Sequence, residues 1–588
     1  MVKVVLIDTG LSDEYDDSRI TGGCSIVTNG DAFEIRKEYT DYIGHGTATA
    51  DIILKYSQNV NIYIVRIYEK DLYISEEKLC FALEYVHEHL TYDMIQISSG
   101  ILNYSFKMHE IIRKIVEEDH KLILSAFDNE GGISYPAAFE EVLGIDVNLS
   151  YRKKEQYDIV DENVIDVRGG DSFFRVPWIN KGKNIVKGSS FLTSYYTAWC
   201  GDHCDGNLNK PYVINELKKH AIHIYGGINI EWSITSSEFV KNIKHAITFP
   251  FNKEIYCLAA FEEMLPFKID GYYDIKHKFI VGKKIKEILK YTDNKALIQN
   301  VDNIDWNGDF DTVICGHLSE ISEMTKKDYL MEILQLCQKY NKRAYVFDDL
   351  GLLDENYRNT ENLFSPIISI NPSLHNRFGK LRVCNKPVLA VMGTSSRQGK
   401  YTIQLKLMKE FKERGINVDG IATEPTGGLF GFSEMYACGY GSNNNLASRE
   451  MVRVINDMVY RIERTNAELI ITGGQSGTVA YDMRNESLIP FEQYCYLTGV
   501  NPDGVILCVN EIDDLHYVKR TINYIEAVSS ASVFAIVISP VRKSQNDSAN
   551  KQNMIELLQK EYGESKKYYR LDALDVKALA DNIIQYYD

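Results

Sequence analysis

At 588 residues the chain is long enough for about three to five domains of ordinary size. Its formal net charge of −17 argues against a nucleic-acid or anionic-membrane partner and is compatible with a basic peptide substrate. Eleven cysteines, an odd number in so long a chain, argue against a disulfide framework and for reduced thiols. The apolar run that opens the chain is too short and lacks the cleavage context of a signal peptide, and no apolar stretch is long enough to span a membrane. The expected location is therefore cytoplasmic.

The first predicted strand is Val4-Val5-Leu6-Ile7, and Asp8-Thr9-Gly10 closes it. Gly44-His45-Gly46-Thr47 then opens a predicted helix over Thr47–Leu54, and Gly188-Ser189-Ser190 opens another over Phe191–Trp199. An acid, an imidazole and a hydroxyl thus follow in the order Asp8, His45, Ser190. A serine hydroxyl needs a base to take its proton, and the base needs a carboxylate to hold its tautomer. Asp…His…Ser is one of the few chain orders known for that triad.

These motifs resemble those of the subtilisin-like serine peptidases, and the likeness covers roughly residues 1–205. Asp93–Gly100 resembles the strand that lines their substrate cleft. Leu122–Gly131 resembles the strand and turn that present an oxyanion-hole asparagine, which assigns that role to Asn129. Tyr135-Pro136-Ala137 fits the same region, and Val167-Arg168-Gly169-Gly170 stands where the family has a Pro-Gly turn. Departures include Phe127-Asp128 for a small Ala-Gly pair, Gln96 for a common asparagine, and Ser194 for the proline four residues after the serine. The resemblance implies acyl transfer by Ser190 through His45 and Asp8. Asn129 and the Ser190 N–H would hold the oxyanion, a donor worth roughly 3–4 kcal/mol of barrier in such sites.

Cys200, His203 and Cys204 invite a zinc reading, but the spacing is not that of a finger half and no second pair lies near. Residues 206–238 are turn-rich and read as a linker or an extension packing on the peptidase. From 239 to 380, strands alternate with helices, which predicts a Rossmann-like parallel α/β sheet. Its predicted elements include strands at Lys278–Gly282, Asp311–Gly316 and Arg343–Phe347 and a helix over Lys326–Tyr340.

Residues 381–588 begin with a predicted strand at Pro387–Met392. The loop Gly393-Thr394-Ser-Ser-Arg-Gln-Gly399-Lys400-Tyr401-Thr402 and a helix over Ile403–Arg414 follow. Strand, glycine loop, lysine, hydroxyl and helix form the layout of a P-loop, in which backbone N–H groups and a lysine hold phosphate. Five residues rather than four separate the glycines, and Tyr401 precedes the hydroxyl. That variant resembles a P-loop family that includes D-glutamate N-acetyltransferase-like proteins. Ala422–Gly427 and Leu469–Gly477 match two further segments of that family, with Glu424 and Gln475 in them, and Asn501–Cys508 the next strand. The family's acidic residue falls at Gly473. The resemblance implies ATP or another nucleotide with Mg²⁺, held by Gly393, Thr394, Gly399, Lys400, Thr402, Glu424 and Gln475, with Thr402 as a metal ligand. Asn510-Glu511-Ile512-Asp513 reads as a solvated strand-end turn or a reader of a base edge.

The fold class expected is a multidomain α/β chain: a subtilisin-like sandwich, a Rossmann-like domain and a P-loop domain. The function expected is a serine endopeptidase fused to a nucleotide-binding module, removing a leader or transferring an acyl group in ribosomal peptide maturation. Its partners would be a peptide or protein and a nucleotide, with no nucleic acid and no membrane. Two alternatives stand beside it: a nucleotide-gated regulatory protein, and a pseudo-peptidase scaffold with the chemistry in the P-loop half.

Overall fold

A computed structural model describes residues 1–30, 32–128, 131–160, 165–204, 206–225, 236–289, 291–348, 350, 361–366, 379–436, 448–484, 489–540 and 553–587. The chain divides into two compact units. One is Met1–Asn229 with Leu374–Asn385, and the other is Ile230–Ser373 with Lys386–Asp588.

The first unit is built on a ten-stranded sheet. Its strands are β1 (Val2–Asp8), β2 (Ile20–Asn29), β3 (Ala32–Arg36), β4 (Val60–Arg66), β5 (Met94–Ile97), β6 (Leu122–Ala126), β7 (Leu143–Asn148), β8 (Tyr157–Val160), β9 (Val167–Gly170) and β12 (His223–Tyr225), with β10 (Phe174–Pro177) and β11 (Lys183–Val186) forming a separate ribbon. The order across the sheet is β12-β8-β9-β7-β6-β5-β1-β4-β2-β3. The centre, β4-β1-β5-β6-β7-β9, is parallel. Such strands are covered on both faces and so read as unbroken apolar runs; Val4, Val5, Leu6 and Ile7 are all buried. β1 lies where the strand order reverses, with β4 on one side and β5 on the other. The crevice at the carboxyl end of such a strand is where open α/β sheets place ligands. Two helices carry functional residues there: α1 (His45–Tyr56) and α2 (Ser189–His203), which pack on each other.

One sequence expectation for this unit changes. Val167–Gly170 is not a turn but the strand β9, because its glycines let the sheet meet its neighbours closely. A Cβ at Gly169 would lie 2.7 Å from Leu192 of α2. Within 206–238, a helix over Lys210–Lys218, capped by the Asn209 side chain, leads into β12, which pairs with β8 and extends the sheet.

The second unit holds two parallel sheets. The first has β13 (His245–Phe249), β14 (Lys268–Asp274), β15 (Ile298–Asn300), β16 (Thr312–Cys315), β17 (Arg343–Val346) and β18 (Leu363–Phe364), in the order β15-β14-β13-β16-β17-β18. That is the doubly wound order 3-2-1-4-5-6 of Rossmann sheets. The strand expected at Lys278–Gly282 is absent. The ladder is supplied by Lys268–Asp274, while Phe279 takes a left-handed φ of 55° and is 84% exposed. The helix expected over Lys326–Tyr340 is found at Tyr329–Lys339, started by the side-chain cap of Asp328; a separate helix, Ser319–Thr325, precedes it and ends at Lys326, whose φ is 57°.

The other sheet has β19 (Val388–Gly393), β20 (Val418–Ala422), β21 (Glu434–Met435), β22 (Leu469–Gly473), β23 (Gly504–Asn510), β24 (Ser532–Ser539) and β25 (Lys567–Arg570), in the order β21-β20-β22-β19-β23-β24-β25. The two sheets share a core: Tyr345, Phe347 and Phe364 from the first pack in one cluster with Leu405, Ala422, Leu429 and Phe432 from the second. No helix among the described residues is long and apolar enough to cross a membrane.

Candidate active site and phosphate-binding loop

Asp8 ends β1 fully buried, and its carboxylate is satisfied on both oxygens. Oδ1 accepts the Thr9 amide at 2.7 Å and faces His45 Nδ1 at 2.7 Å, and Oδ2 accepts the Thr49 hydroxyl at 3.1 Å. Burial pushes the Asp8 carboxyl up, but the His45 charge, its hydrogen bond and the Thr9 amide outweigh it and hold the group below its ordinary range. His45 is the mirror case. Burial lowers it, and the charge and hydrogen bond of Asp8, with the charge of Asp41, raise it above 6.5. With Nδ1–H donated to Asp8, the neutral ring keeps its lone pair on Nε2, the tautomer a general base requires.

The turn that presents His45 is fixed by Asp41, a residue the motif reading passed over. Asp41 Oδ1 accepts the amides of Ile43 and Gly44 at 2.9 and 2.8 Å, and Oδ2 accepts the Thr47 amide and hydroxyl at 2.9 and 2.7 Å. A carboxylate on these groups caps the N-terminus of α1 and meets its dipole. An acidic residue a few positions before a glycine-bounded helix start was the available signal. Gly44 has φ 104°, and a Cβ there would run into the Trp178 indole.

Ser190 is the second residue of α2, half-buried, in a turn begun by Gly188. The next residue, Phe191, lays its ring 4.9 Å from that of His45, so the serine and the imidazole sit at the N-termini of two packed helices. Ser189 turns its hydroxyl onto the carbonyl of Phe127, and Ser194 donates to the carbonyl of Ser190 at 3.2 Å. Gln96 Nε2 donates to Ser194 Oγ at 2.8 Å, so these two departures from the subtilisin pattern answer each other. The Asp128 carboxylate folds over Gly131, where a Cβ would lie 2.5 Å from Oδ2. Asn129 lies outside the described residues. Beyond β5, a two-way backbone bridge joins Ile101 and Tyr135, 2.8 Å each way.

Cys200 and Cys204 are buried in the core of this unit and hydrogen-bond to each other, which with burial raises the Cys200 thiol far above its ordinary range. The ten described cysteines are free thiols. No group of three or more His, Cys, Asp or Glu side chains among the described residues is arranged to hold a metal.

In the second unit the loop from Gly393 to Gly399 connects β19 to α3 (Lys400–Glu413), in the strand–loop–helix layout of a P-loop. Side chains hold it from within. Gln398 Nε2 donates to Thr394 Oγ1 at 2.6 Å, Gln398 Oε1 accepts the Ser395 amide at 3.0 Å, and Thr394 donates to Asp513 at 2.5 Å. The stretch Asn510–Asp513 therefore braces the loop, and Asn510 also donates to Ser395 Oγ at 3.0 Å. Lys400 is buried, its Nζ on the carbonyls of Ser395 and Ser476 at 2.7 and 2.9 Å, and burial pushes its pKa down to about 8. Thr402 stands in the first turn of α3. Gln475 Nε2 donates to the Thr423 carbonyl at 2.8 Å and reaches Glu424 Oε1 at 3.5 Å. Burial raises the Glu424 carboxyl above its ordinary value despite nearby Lys253 and Lys400. Gly473 ends β22 with no room for a side chain: a Cβ there would lie 2.6 Å from Gln404 Oε1.

Comparisons with known proteins find likenesses to two parts of the chain. Residues 377–565 match the model of the DUF1611 P-loop domain, a domain of unknown function. The chain is 24% identical over 174 residues to subtilisin DY of Bacillus licheniformis, a stretch that is 27% of this chain and 61% of that protein. Of solved structures, a DUF1611 family protein from Anabaena variabilis is matched over its whole length and 58% of this chain, at 14% identity and a TM-score of 0.41. A cold-adapted subtilisin-like serine proteinase is matched over 80% of its length and 36% of this chain, at 16% identity and a TM-score of 0.30. A subtilisin-like region and a P-loop domain thus stand on one multidomain α/β chain.

Proposed function

We propose that the chain is a subtilisin-type serine endopeptidase joined to a nucleotide-binding P-loop module and acting on a peptide. The observation that carries this is the 2.7 Å contact from buried Asp8 to His45 Nδ1, beside Ser190 at the start of a helix packed on that of His45. In this reading Ser190 Oγ attacks a peptide carbonyl while His45 Nε2 takes its proton. The same nitrogen returns the proton to the leaving amine. Asp8 holds the ring and stabilises the imidazolium. Asn129 and the Ser190 amide hold the oxyanion. Water, or a second amine, then releases the acyl group from Ser190, so the outcome is leader removal or acyl transfer.

In the P-loop half, the residues fit a phosphate. Buried Lys400 ends the loop at the N-terminus of a long helix, and its ammonium now rests on two carbonyls that an anion would replace. A bound nucleotide with Mg²⁺ would supply an activated phosphate there; Lys400 with the Gly393–Gly399 backbone would hold it, and Thr402, Glu424 and Gln475 would meet the metal or its water. The reduced thiols and the acidic net charge fit a cytoplasmic setting without nucleic acid.

Fluorophosphonate labelling of the purified protein tests the peptidase reading. Stoichiometric labelling mapped to Ser190 and lost in His45→Ala is expected. Absence of labelling, with or without nucleotide, would leave the P-loop half as the seat of chemistry and the first third as a peptide-binding scaffold.

Gly473 favours a second reading, in which nucleotide gates the peptidase and is not consumed. The position that would carry a carboxylate near the phosphate has no space for one. A nucleotide-dependent change in the Ser190 labelling rate without nucleotide turnover would support it; turnover in step with product would overturn it.

A further inference from the structure

The first unit contains a piece of chain from far downstream, residues 379–385 of the segment Leu374–Asn385. Lys380 lies in it, 8% exposed. Its ammonium donates to the carbonyls of Asp128 and Gly131, the latter at 3.1 Å, and stands 3.8 Å from Asp146 Oδ1 in β7. The neighbouring residue extends the grip: the Leu381 carbonyl accepts the Ile133 amide at 2.8 Å. Gly132 approaches that carbonyl too closely for any Cβ.

Lysine is rarely buried unless its charge and donors are matched. Here two carbonyls and a carboxylate match them, and the two carbonyls lie three positions apart in sequence. These residues are tied to the neighbourhood of the nucleophile. Phe127, just before Asp128, accepts the hydroxyl of Ser189, and Tyr135, four residues after Gly131, forms the bridge with Ile101. Asp146 is shared with Arg168 at 3.7 Å, which fixes the carboxylate from its other side.

We propose that Lys380 is a positioning residue of the peptidase, holding the backbone of Asp128 and of Gly131 near Ser190. The inference rests on the peptidase reading above. It makes the first 229 residues an incomplete peptidase, since the brace arrives after the first sheet of the second unit has been threaded.

The test uses the full chain with Lys380→Met, Lys380→Gln and Lys380→Arg. Two quantities are read: the fluorophosphonate labelling rate at Ser190, and amide hydrogen exchange in peptides spanning 122–135. The Met variant should label about tenfold to a hundredfold more slowly. Its exchange should rise in 122–135 and stay unchanged in β1 and α1. Arg should recover most of the rate, and the slowing in Met should exceed what any fall in its melting midpoint explains. If the Met variant does not fold, Gln, which reaches only one carbonyl, is read in its place. A parent that labels while Met or Gln labels equally fast overturns the role of Lys380 alone. A parent that does not label overturns the peptidase reading, and this role with it.

Discussion

The hydroxyl of Thr9 donates to Asp41 Oδ1 at 2.9 Å and accepts the Gly46 amide at 2.7 Å, so the residue after Asp8 is fastened to both sides of His45. Asp41 sets the distance between acid and base although it touches neither. Asp41→Asn keeps one acceptor and removes the charge; Asp41→Ala leaves the amides of Ile43, Gly44 and Thr47 without a partner. The expected losses in stability are about 1–3 kcal/mol for Asn and more for Ala, read by denaturant melting. The Ser190 labelling rate should fall further than the stability loss explains. Unchanged labelling in both variants would remove Asp41 from the site.

The His45–Asp8 pair sets a pH dependence. Because Asp8 raises the imidazole above 6.5, the base is freed of its proton only at higher pH, and labelling should reach half its maximum above pH 6.5. Asp8→Asn should move that midpoint down and slow the reaction by about 10³- to 10⁴-fold. The linked stability has two signs. The His45 contribution is full below pH 6.5 and fades as pH rises through the raised value. The Asp8 contribution is present above the ordinary carboxylate range and fades as pH falls through the lowered one. A labelling midpoint below 6.5 in the parent would show that the pair is not formed in solution.

Gln96 and Ser194 offer a separable test. Ser194→Ala and Gln96→Leu should each destabilise by about 1–2 kcal/mol, and the double variant by less than the two together, because both remove the same buried bond. Additive losses would mean that the 2.8 Å contact carries no coupling.

The positions legible in the sequence were those where one residue type does one job locally. Asp8 followed a buried apolar run, His45 and Ser190 opened helices after glycines, and Lys400 closed a glycine loop. Asp41 was only weakly marked and Lys380 not at all, for different reasons. Asp41 acts through backbone amides, which any helix start offers. Lys380 meets Asp128 and Gly131 across 252 and 249 residues, and nothing around it in sequence marks the partner. Val167–Gly170 was matched by resemblance to a turn, whereas its glycines serve the close packing of a helix on a sheet. The helix expected from Lys326 starts at Tyr329 because Lys326 is left-handed and Asp328 supplies the cap, neither of which the apolar pattern marks.

Lys400 predicts proton uptake on ligand binding. With its pKa near 8 it is partly neutral just above that pH, and a bound phosphate would restore its charge. Affinity for a nucleotide or inorganic pyrophosphate should therefore fall as pH rises from 8 to 9.5. The heat of binding should vary with buffer ionisation enthalpy. Lys400→Met should abolish both effects together with most of the binding. A pH-independent affinity in the parent would mean that Lys400 does not meet the anion.

Gly473 stands where the P-loop family that this half resembles has an acidic residue, and a side chain there is opposed sterically. Gln404 from α3 is fully buried against it, with its amide 2.6 to 2.8 Å from any Cβ placed there. Gly473→Ala should then destabilise by about 1–3 kcal/mol, the usual penalty for forcing volume into a packed core. Shortening the neighbour relieves the clash, so in a Gln404→Ala background the same substitution should be nearly neutral. That non-additivity, measured by denaturant melting of the four proteins, is the signature of direct contact. An equal penalty in both backgrounds would place the cause elsewhere, in the backbone at the end of β22. It would also remove the steric ground for the missing carboxylate. If the double variant folds, Gly473→Asp in the same background tests whether a carboxylate at this position confers magnesium-dependent nucleotide turnover.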